Sequence, residues 1–285
     1  MMMHQAQTDS VAPLALELDH VIIKSSRAEE LFRFFRDMLM FPVSSDYKVI
    51  VPGVFSSGTV SVGNVHLECA QVGLGSDFTI PEDGQAPYGG LCMDADRQFG
   101  EMELQRRGLK YEVLAPLAPD GKPMFTNLKI GGLTTVDQQF SLTYYRETFD
   151  PIERKRRMMH ELRQRSGGPL GVLGAADIIL GASNHEESEM IWTRILGNPV
   201  TPHQWKLTAD DPTLWLVPAE HIHRLIGITL RVTSIQSAKN YLHEQSALAF
   251  DSDGAPCIKP SGTEGLVIKL IDVPKCDSEV LIDRL

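Results

Sequence analysis

The chain has 285 residues, 42% of them hydrophobic, and a formal net charge of −10. That length holds one large domain or two ordinary ones with ample core, and the negative balance argues against general affinity for nucleic acid or anionic membrane. Cys69, Cys92, Cys257 and Cys276 are far apart and form no CxxC pair, which argues against a zinc knuckle or disulfide scaffold and fits a reducing, cytoplasmic setting. No apolar run approaches the ~20 residues that span a bilayer. Residues 1–15 lack a hydrophobic signal core and read as a disordered leader.

The first ordered unit is Leu18–Phe41. Val21–Ile23 is a short β-branched strand, and His20 stands on the strand face of Leu18 and Ile22 by the alternation of side chains. Ser25 or Ser26 sits at a helix N-cap, with Glu29 completing a capping box. Leu31, Phe34, Phe35, Met38 and Leu39 recur at helical spacing, and Pro42 closes the unit. Ser44–Pro52 reads as a strand with a loop. Gly63-Asn64 then separates Val60–Val62 from Val65–Ala70, a hairpin signal. On the second arm His66 and Glu68 point one way, with Val65, Leu67 and Cys69 the other, as on a strand with a water-facing or cavity-lining side.

Gly73–Tyr88 is rich in Gly, Pro and Asp and reads as a linker. A second unit follows, with Gly89–Ala95 as strand, Asp96–Arg107 as helix and Gly108 as its stop. Between 149 and 168 the strand pattern is interrupted by Arg154, Lys155, Arg156, Arg157, Arg163 and Arg165. Without interleaved aromatics this basic run predicts a solvated linker helix rather than a nucleic-acid surface. The opening pattern then returns: 175–198 aligns without a gap on 18–41 at an offset of 157 residues, matching Ile22 with Ile179, Ser26 with Ser183, Glu29 with Glu186 and Leu39 with Leu196. This reads as an internal repeat. Gly227–Gln245 with Leu266–Ile271 parallels the second unit. His221 and His223 share a strand face, and a surface role is expected for them.

The strings LDHVII and FFRDMLMFPV, HLECA around Glu68, and GLCMDADRQFGEMELQRRGLKYE with PDGKP resemble the vicinal oxygen chelate superfamily, in its glyoxalase-like (glyoxalase–bleomycin resistance–dioxygenase) branch. The resemblance implies an α+β fold of four βαβββ modules, arranged as two paired, cupped mixed sheets with outer helices. The modules would be 16–73 with 86–147, and 172–218 with 222–273, joined by a linker helix at 149–171 and followed by a tail at 274–285. It also implies a divalent metal ion (Fe, Mn, Co, Ni or Zn) in the first cup, held by His20 from a first strand and Glu68 from a last strand.

In the second module the matching positions fall on Gly90 and on Thr143 or Tyr144. His66 is the candidate third ligand by strand phase, which would make a 2-His-1-carboxylate set. Cys92 and Tyr144 or Tyr145 could also enter the cup, and Glu68 and Tyr144 are the candidate catalytic residues. In the second pair Asp177, Gly227 and Lys269 stand at ligand positions, so that pair is expected to be structural, regulatory or dimer-building.

The resemblance implies a metal-dependent isomerase, lyase or oxygenase acting on a small oxygenated molecule. The alternative is a metal-free small-molecule binding protein of the drug-sequestering type. The expected partners are that small molecule and a second copy of the chain, with no nucleic acid and no membrane.

Overall fold

A computed structural model describes residues 12–51, 55–72, 89–95, 100–115, 121–123, 125–134, 138–145, 150–220 and 224–273. The first eleven residues of the expected 1–15 leader, the 73–88 linker, the start of the second helix, His221, His223 and the tail from 274 lie outside them. The end of that leader is ordered, with Leu14 and Ala15 buried and Ala15 opening the first strand. The fold is α+β, with an eight-stranded and a seven-stranded mixed sheet. The first unit is β1 (Ala15–Lys24), α1 (Ala28–Arg33), β2 (Val43–Val51), β3 (Phe55–Ser61) and β4 (His66–Val72). The second is β5 (Gly89–Ala95), α2 (Gly100–Arg106), β6 (Tyr111–Leu114), β7 (Phe125–Ile130) and β8 (Gln138–Tyr145). Together they make the order β2-β3-β4-β1-β5-β8-β7-β6.

After α3 (Pro151–Gln164) come β9 (Val172–Ala182), α4 (His185–Leu196), β10 (Gln204–Trp205) and β11 (Thr213–Pro218). The last unit is β12 (Arg224–Val232), α5 (Ile235–Glu244), β13 (Leu248–Phe250), β14 (Pro256–Ile258) and β15 (Val267–Asp272). Their order is β10-β11-β9-β12-β15-β14-β13. In each sheet the opening strand, β1 or β9, runs parallel to the last strand of its own unit and antiparallel to the first strand of the next. The third unit has two strands after its helix rather than three. Pro199, Pro202 and Pro212 fall in that stretch, and proline cannot donate to a ladder.

One face of each sheet is covered by helices. Phe32 and Phe35 after β1, Leu104 on α2, Trp192 and Ile195 on α4, and Leu242 on α5 join Val21, Ile23, Leu67, Leu142 and Ile178 in one buried core. The core is shared between the halves: Trp192 packs edge-on against Phe140 of β8 at 5.5 Å, and the Tyr241 hydroxyl of α5 donates to the Met38 carbonyl at 2.6 Å. Between the sheets the buried Asn64 amide donates to the Ala175 and Asp210 carbonyls at 2.9 and 2.8 Å and accepts from the Ala175 N–H at 2.7 Å. Gly63, at φ +97°, supplies the left-handed turn that presents it. So the Gly63-Asn64 pair that signals the hairpin also fastens one half to the other.

Two local expectations are corrected. The capping box does not form: the N-cap of α1 is Arg27, without a side-chain bond, and the Ser25 hydroxyl accepts from the Arg27 N–H at 2.8 Å. The helix then continues as a π-type turn, Phe34–Met38. The basic stretch is not wholly solvated, because Arg154 and Lys155 are buried. Asp150 caps α3 by accepting from the Ile152 and Glu153 N–H groups, with Pro151 in the first turn, and this points Arg154 and Lys155 inward.

Candidate metal centre in the N-terminal cup

The face of the first sheet away from the helices carries the predicted site. Ile22, Ala70 and Cys92 form a small separate apolar cluster there, with Phe55 against it. Beside that cluster, His20 lies opposite His66 on β4 and opposite Cys92 on β5. His20 Nε2 is 3.3 Å from Glu68 Oε2, and these two side chains keep 15% and 17% of their surface exposed. The His20 and Glu68 that the resemblance implies as ligands are therefore brought together.

The strand β1 does not alternate simply. Register shifts fall between Ala15 and Glu17 and between Leu18 and His20, each placing one extra residue on β1 against β5. As a result Leu18 joins the helix-side core instead of sharing the face of His20, while Asp19 turns toward His20 and Glu17 toward Asp94. His20 Nδ1 is 2.8 Å from Asp19 Oδ2, so the ring has a carboxylate on each nitrogen. The Tyr145 hydroxyl donates to the same Asp19 oxygen, and Arg154 Nη1 is 3.2 Å from Asp19 Oδ1.

Arg154 also bonds Glu17, lies 3.7 Å from Asp94 and stands over the Tyr145 ring at 5.8 Å. Lys155 bonds Asp211 and is 3.4 Å from Glu17. Asp19, Glu17, Asp94 and this cationic pair were not anticipated from the sequence. The bulges hide the first two, and the partners of Arg154 and Lys155 are remote in the chain.

These contacts set the charges. Burial alone would raise the Asp19 carboxyl, but His20, His66 and Arg154 hold it well below the usual range. Burial also works against a charged His20, and the pull of Cys92, Asp19 and Tyr145 outweighs it, raising that ring well above its ordinary value. Glu68 is lowered against its burial by His20 and by the Ser57 hydroxyl. Asp94, where burial prevails over Arg154, is pushed up to about 6.

The remaining expected residues behave differently. His66 faces Asp19, with Nδ1 3.6 Å from Oδ1. Among the described residues no three His, Cys, Asp or Glu donors in the cup come within 4.8 Å of one another, so His66 does not close a triad with His20 and Glu68. Tyr144 belongs to the helix-side core, since it shares a strand face with Phe140 and Leu142; it is Tyr145 that reaches the cup. The strand register also moves the second glutamate position. Ile22 faces Glu68, and its counterpart Cys92 faces Ser141, so that slot holds Ser141 rather than Thr143 or Tyr144. The second histidine slot, Gly90, admits no side chain: a Cβ there would lie 1.8 Å from the Gln139 carbonyl oxygen.

The donors present fit an ion at two positions. A nitrogen and a carboxylate oxygen bound about 2.1 Å from one ion stand about 3.0–3.5 Å apart, and His20 and Glu68 already have that spacing. Asp19 behind Nδ1 is the kind of outer partner that orients a ligating imidazole. In the second sheet the corresponding positions offer no such pair. Asp177 accepts from the Trp215 indole at 3.1 Å, Gly227 is closed by the Val267 carbonyl, and Lys269 is 2.5 Å from Asp251.

No protein-family model matches the sequence, and no curated protein sequence matches it. Solved structures do match. The Mn(II)-bound glyoxalase from Novosphingobium aromaticivorans aligns over 90% of this chain and 82% of its own, at 11% identity and TM-score 0.52. The 2,3-dioxygenase LapB from Pseudomonas sp. KL28 aligns over 92% and 93%, at 11% identity and TM-score 0.52. A mutant of 4-hydroxymandelate synthase from Streptomyces coelicolor aligns over 90% and 92%, at 12% identity and TM-score 0.56. These identities carry a likeness of fold, and the fold of this chain is that of the vicinal oxygen chelate, or glyoxalase-like, proteins.

Proposed function

We propose that the N-terminal cup is the active site of a divalent-metal-dependent enzyme acting on a small oxygenated molecule by isomerase, lyase or oxygenase chemistry. The observation that carries this reading is the 3.3 Å approach of His20 Nε2 to Glu68 Oε2, with Asp19 braced on the other ring nitrogen. The metal-bound neighbour of like fold supports it. His20 and Glu68 would hold the ion, and this mixed nitrogen and oxygen donor set suits Mn, Fe, Co, Ni or Zn. When bound, such an ion supplies Lewis acidity to a carbonyl or enediolate oxygen.

The protein's own groups have separate tasks. Asp19 fixes the orientation of the His20 ring; Tyr145 and Arg154 hold Asp19 in place, and His20, His66 and Arg154 keep it ionised. Glu68, lowered by its neighbours, is a carboxylate near neutral pH, as a ligand or proton acceptor must be. Ile22, Ala70, Cys92 and Phe55 form an apolar wall for the carbon part of the substrate.

A metal-free binding protein is the second reading. The orientation of His66 toward Asp19 favours it, because the cup then offers an ion two side chains rather than three. Metal retention after exposure to Mn, Fe, Co, Ni and Zn in turn separates the two. The metalloenzyme reading expects His20→Ala to lose about one equivalent with its fold intact, and Glu68→Gln to bind more weakly. Unchanged retention in His20→Ala would show the ligand assignment to be wrong. A cup that binds no metal, yet is stabilised by small carbonyl compounds, would favour the binding protein.

A further inference from the structure

On the opposite half of the molecule, away from the cup, three side chains converge that none of the chemistry above employs. His185 opens α4 and Glu189 follows one turn later, so both project from one helix face. His203 comes from the Thr201–Gln204 turn that precedes β10. One donor atom from each of the three lies within 4.8 Å of the others, the only such set among the described residues.

The local structure holds this set in place. His203 Nδ1 is 3.2 Å from Glu189 Oε2, and the His185 and His203 rings meet edge to face at 4.3 Å. His185 Nε2 is 3.1 Å from the Leu216 carbonyl oxygen. A carbonyl only accepts, so His185 Nε2 is the donor in this contact. The Leu216 N–H in turn donates to the His203 carbonyl at 2.9 Å. A single buried residue of β11 thus orients one histidine ring and anchors the backbone of the other, as outer partners of metal ligands do.

The backbone sets where His203 stands. The Gln204 N–H donates to the Thr201 carbonyl at 3.0 Å, with Pro202 and His203 between them and His203 at φ +65°. That is a type II turn, whose third position favours glycine. A histidine is held there against its preference, partly exposed, with its ring on Glu189.

We infer that His185, Glu189 and His203 form a second metal site, one for a borderline divalent ion of the zinc class. Two imidazoles and a carboxylate are a donor set for such ions, with the remaining positions left to water. The ion would tie the 201–204 turn to α4. That helix carries Trp192, which packs on Phe140 of the first sheet, so zinc bound at this edge would steady the junction between the halves. The site shares no residue with the cup and stands or falls independently of the function proposed there.

The test uses the full-length chain carrying His20→Ala, so that the cup does not compete, stripped with EDTA and titrated with zinc. About one equivalent should bind and raise the melting temperature. Adding His203→Gly should abolish both effects. Glycine suits φ +65°, so the stripped double variant should melt no lower than its parent, and loss of zinc would not reflect misfolding. Glu189→Gln, which preserves size, should weaken zinc by more than about tenfold. The inference is overturned if the His20→Ala protein binds no zinc, or if it binds as tightly after His203→Gly.

Discussion

The two halves of the molecule share a plan and differ at three of four equivalent strand positions. In the second and fourth units the first-strand position is Gly90 or Gly227, and in both a Cβ would run into a carbonyl of the neighbouring strand, at 1.8 Å and 2.8 Å. Neither half can take a side-chain ligand there without moving backbone. The divergence lies in the other units: His20 with Glu68 in the first half, Asp177 with Trp215 in the second. The last positions are Ser141 and Lys269. The first half leaves a histidine–carboxylate pair facing a partly open cup. The second uses the same places for an indole-bonded aspartate and a lysine tied to Asp251. A shared fold thus says where a site can be, and the residues at those places say whether one is built.

The sharpest way to break this comparison is through the buried charges behind the first cup. Arg154→Met leaves Glu17, Asp19 and Asp94 without their shared cation and should cost about 3–5 kcal/mol in urea unfolding. Lys269→Met in the second cup, where the lysine is 27% exposed, should cost about 1 kcal/mol or less. Equal losses would show that the halves do not differ in electrostatic design.

A smaller effect is expected from Asp94. Its carboxyl is raised in the folded state from 3.8 to about 6, so the folded protein holds that proton more tightly than the unfolded chain. The resulting stability is present below the unfolded value and lost as pH rises through the folded one. Asp94→Asn should therefore match the wild type near pH 4 and exceed it above about pH 6, by about 2 kcal/mol. Urea midpoints across that range check this, and a difference independent of pH would contradict it. The smallest effect belongs to Trp215→Phe, which removes the indole donor to Asp177 at a half-exposed site. A loss of about 0.5–1.5 kcal/mol and no change in metal retention are expected from paired urea and metal-content measurements.

Much of this was legible in the sequence because β-strands alternate. His20 and Glu68 follow from strand phase together with the resemblance, and the Gly63-Asn64 turn announces its hairpin. The same rule failed where the strand is irregular. Simple alternation puts Asp19 on the face opposite His20, and a bulge, which no residue type announces here, brings it back. Tyr144 and Tyr145 were separable in principle, since Phe140, Leu142 and Tyr144 share the apolar phase of β8. Arg154 and Lys155 read as solvated because a charge run carries no record of remote acids such as Glu17 and Asp211. His185 and Glu189 stand at helical spacing, but His203 joins them through a turn whose handedness shows only in the backbone.

The central claim, that the first cup holds the functional metal and the second cup does not, is tested most directly by an anomalous difference map. The crystal would be of the protein grown with Mn(II), the ion named for the glyoxalase of like fold. The account predicts a peak between His20 Nε2 and Glu68 Oε2 and none beside Asp177 or Lys269. An empty first cup, or a peak in the second, would contradict it.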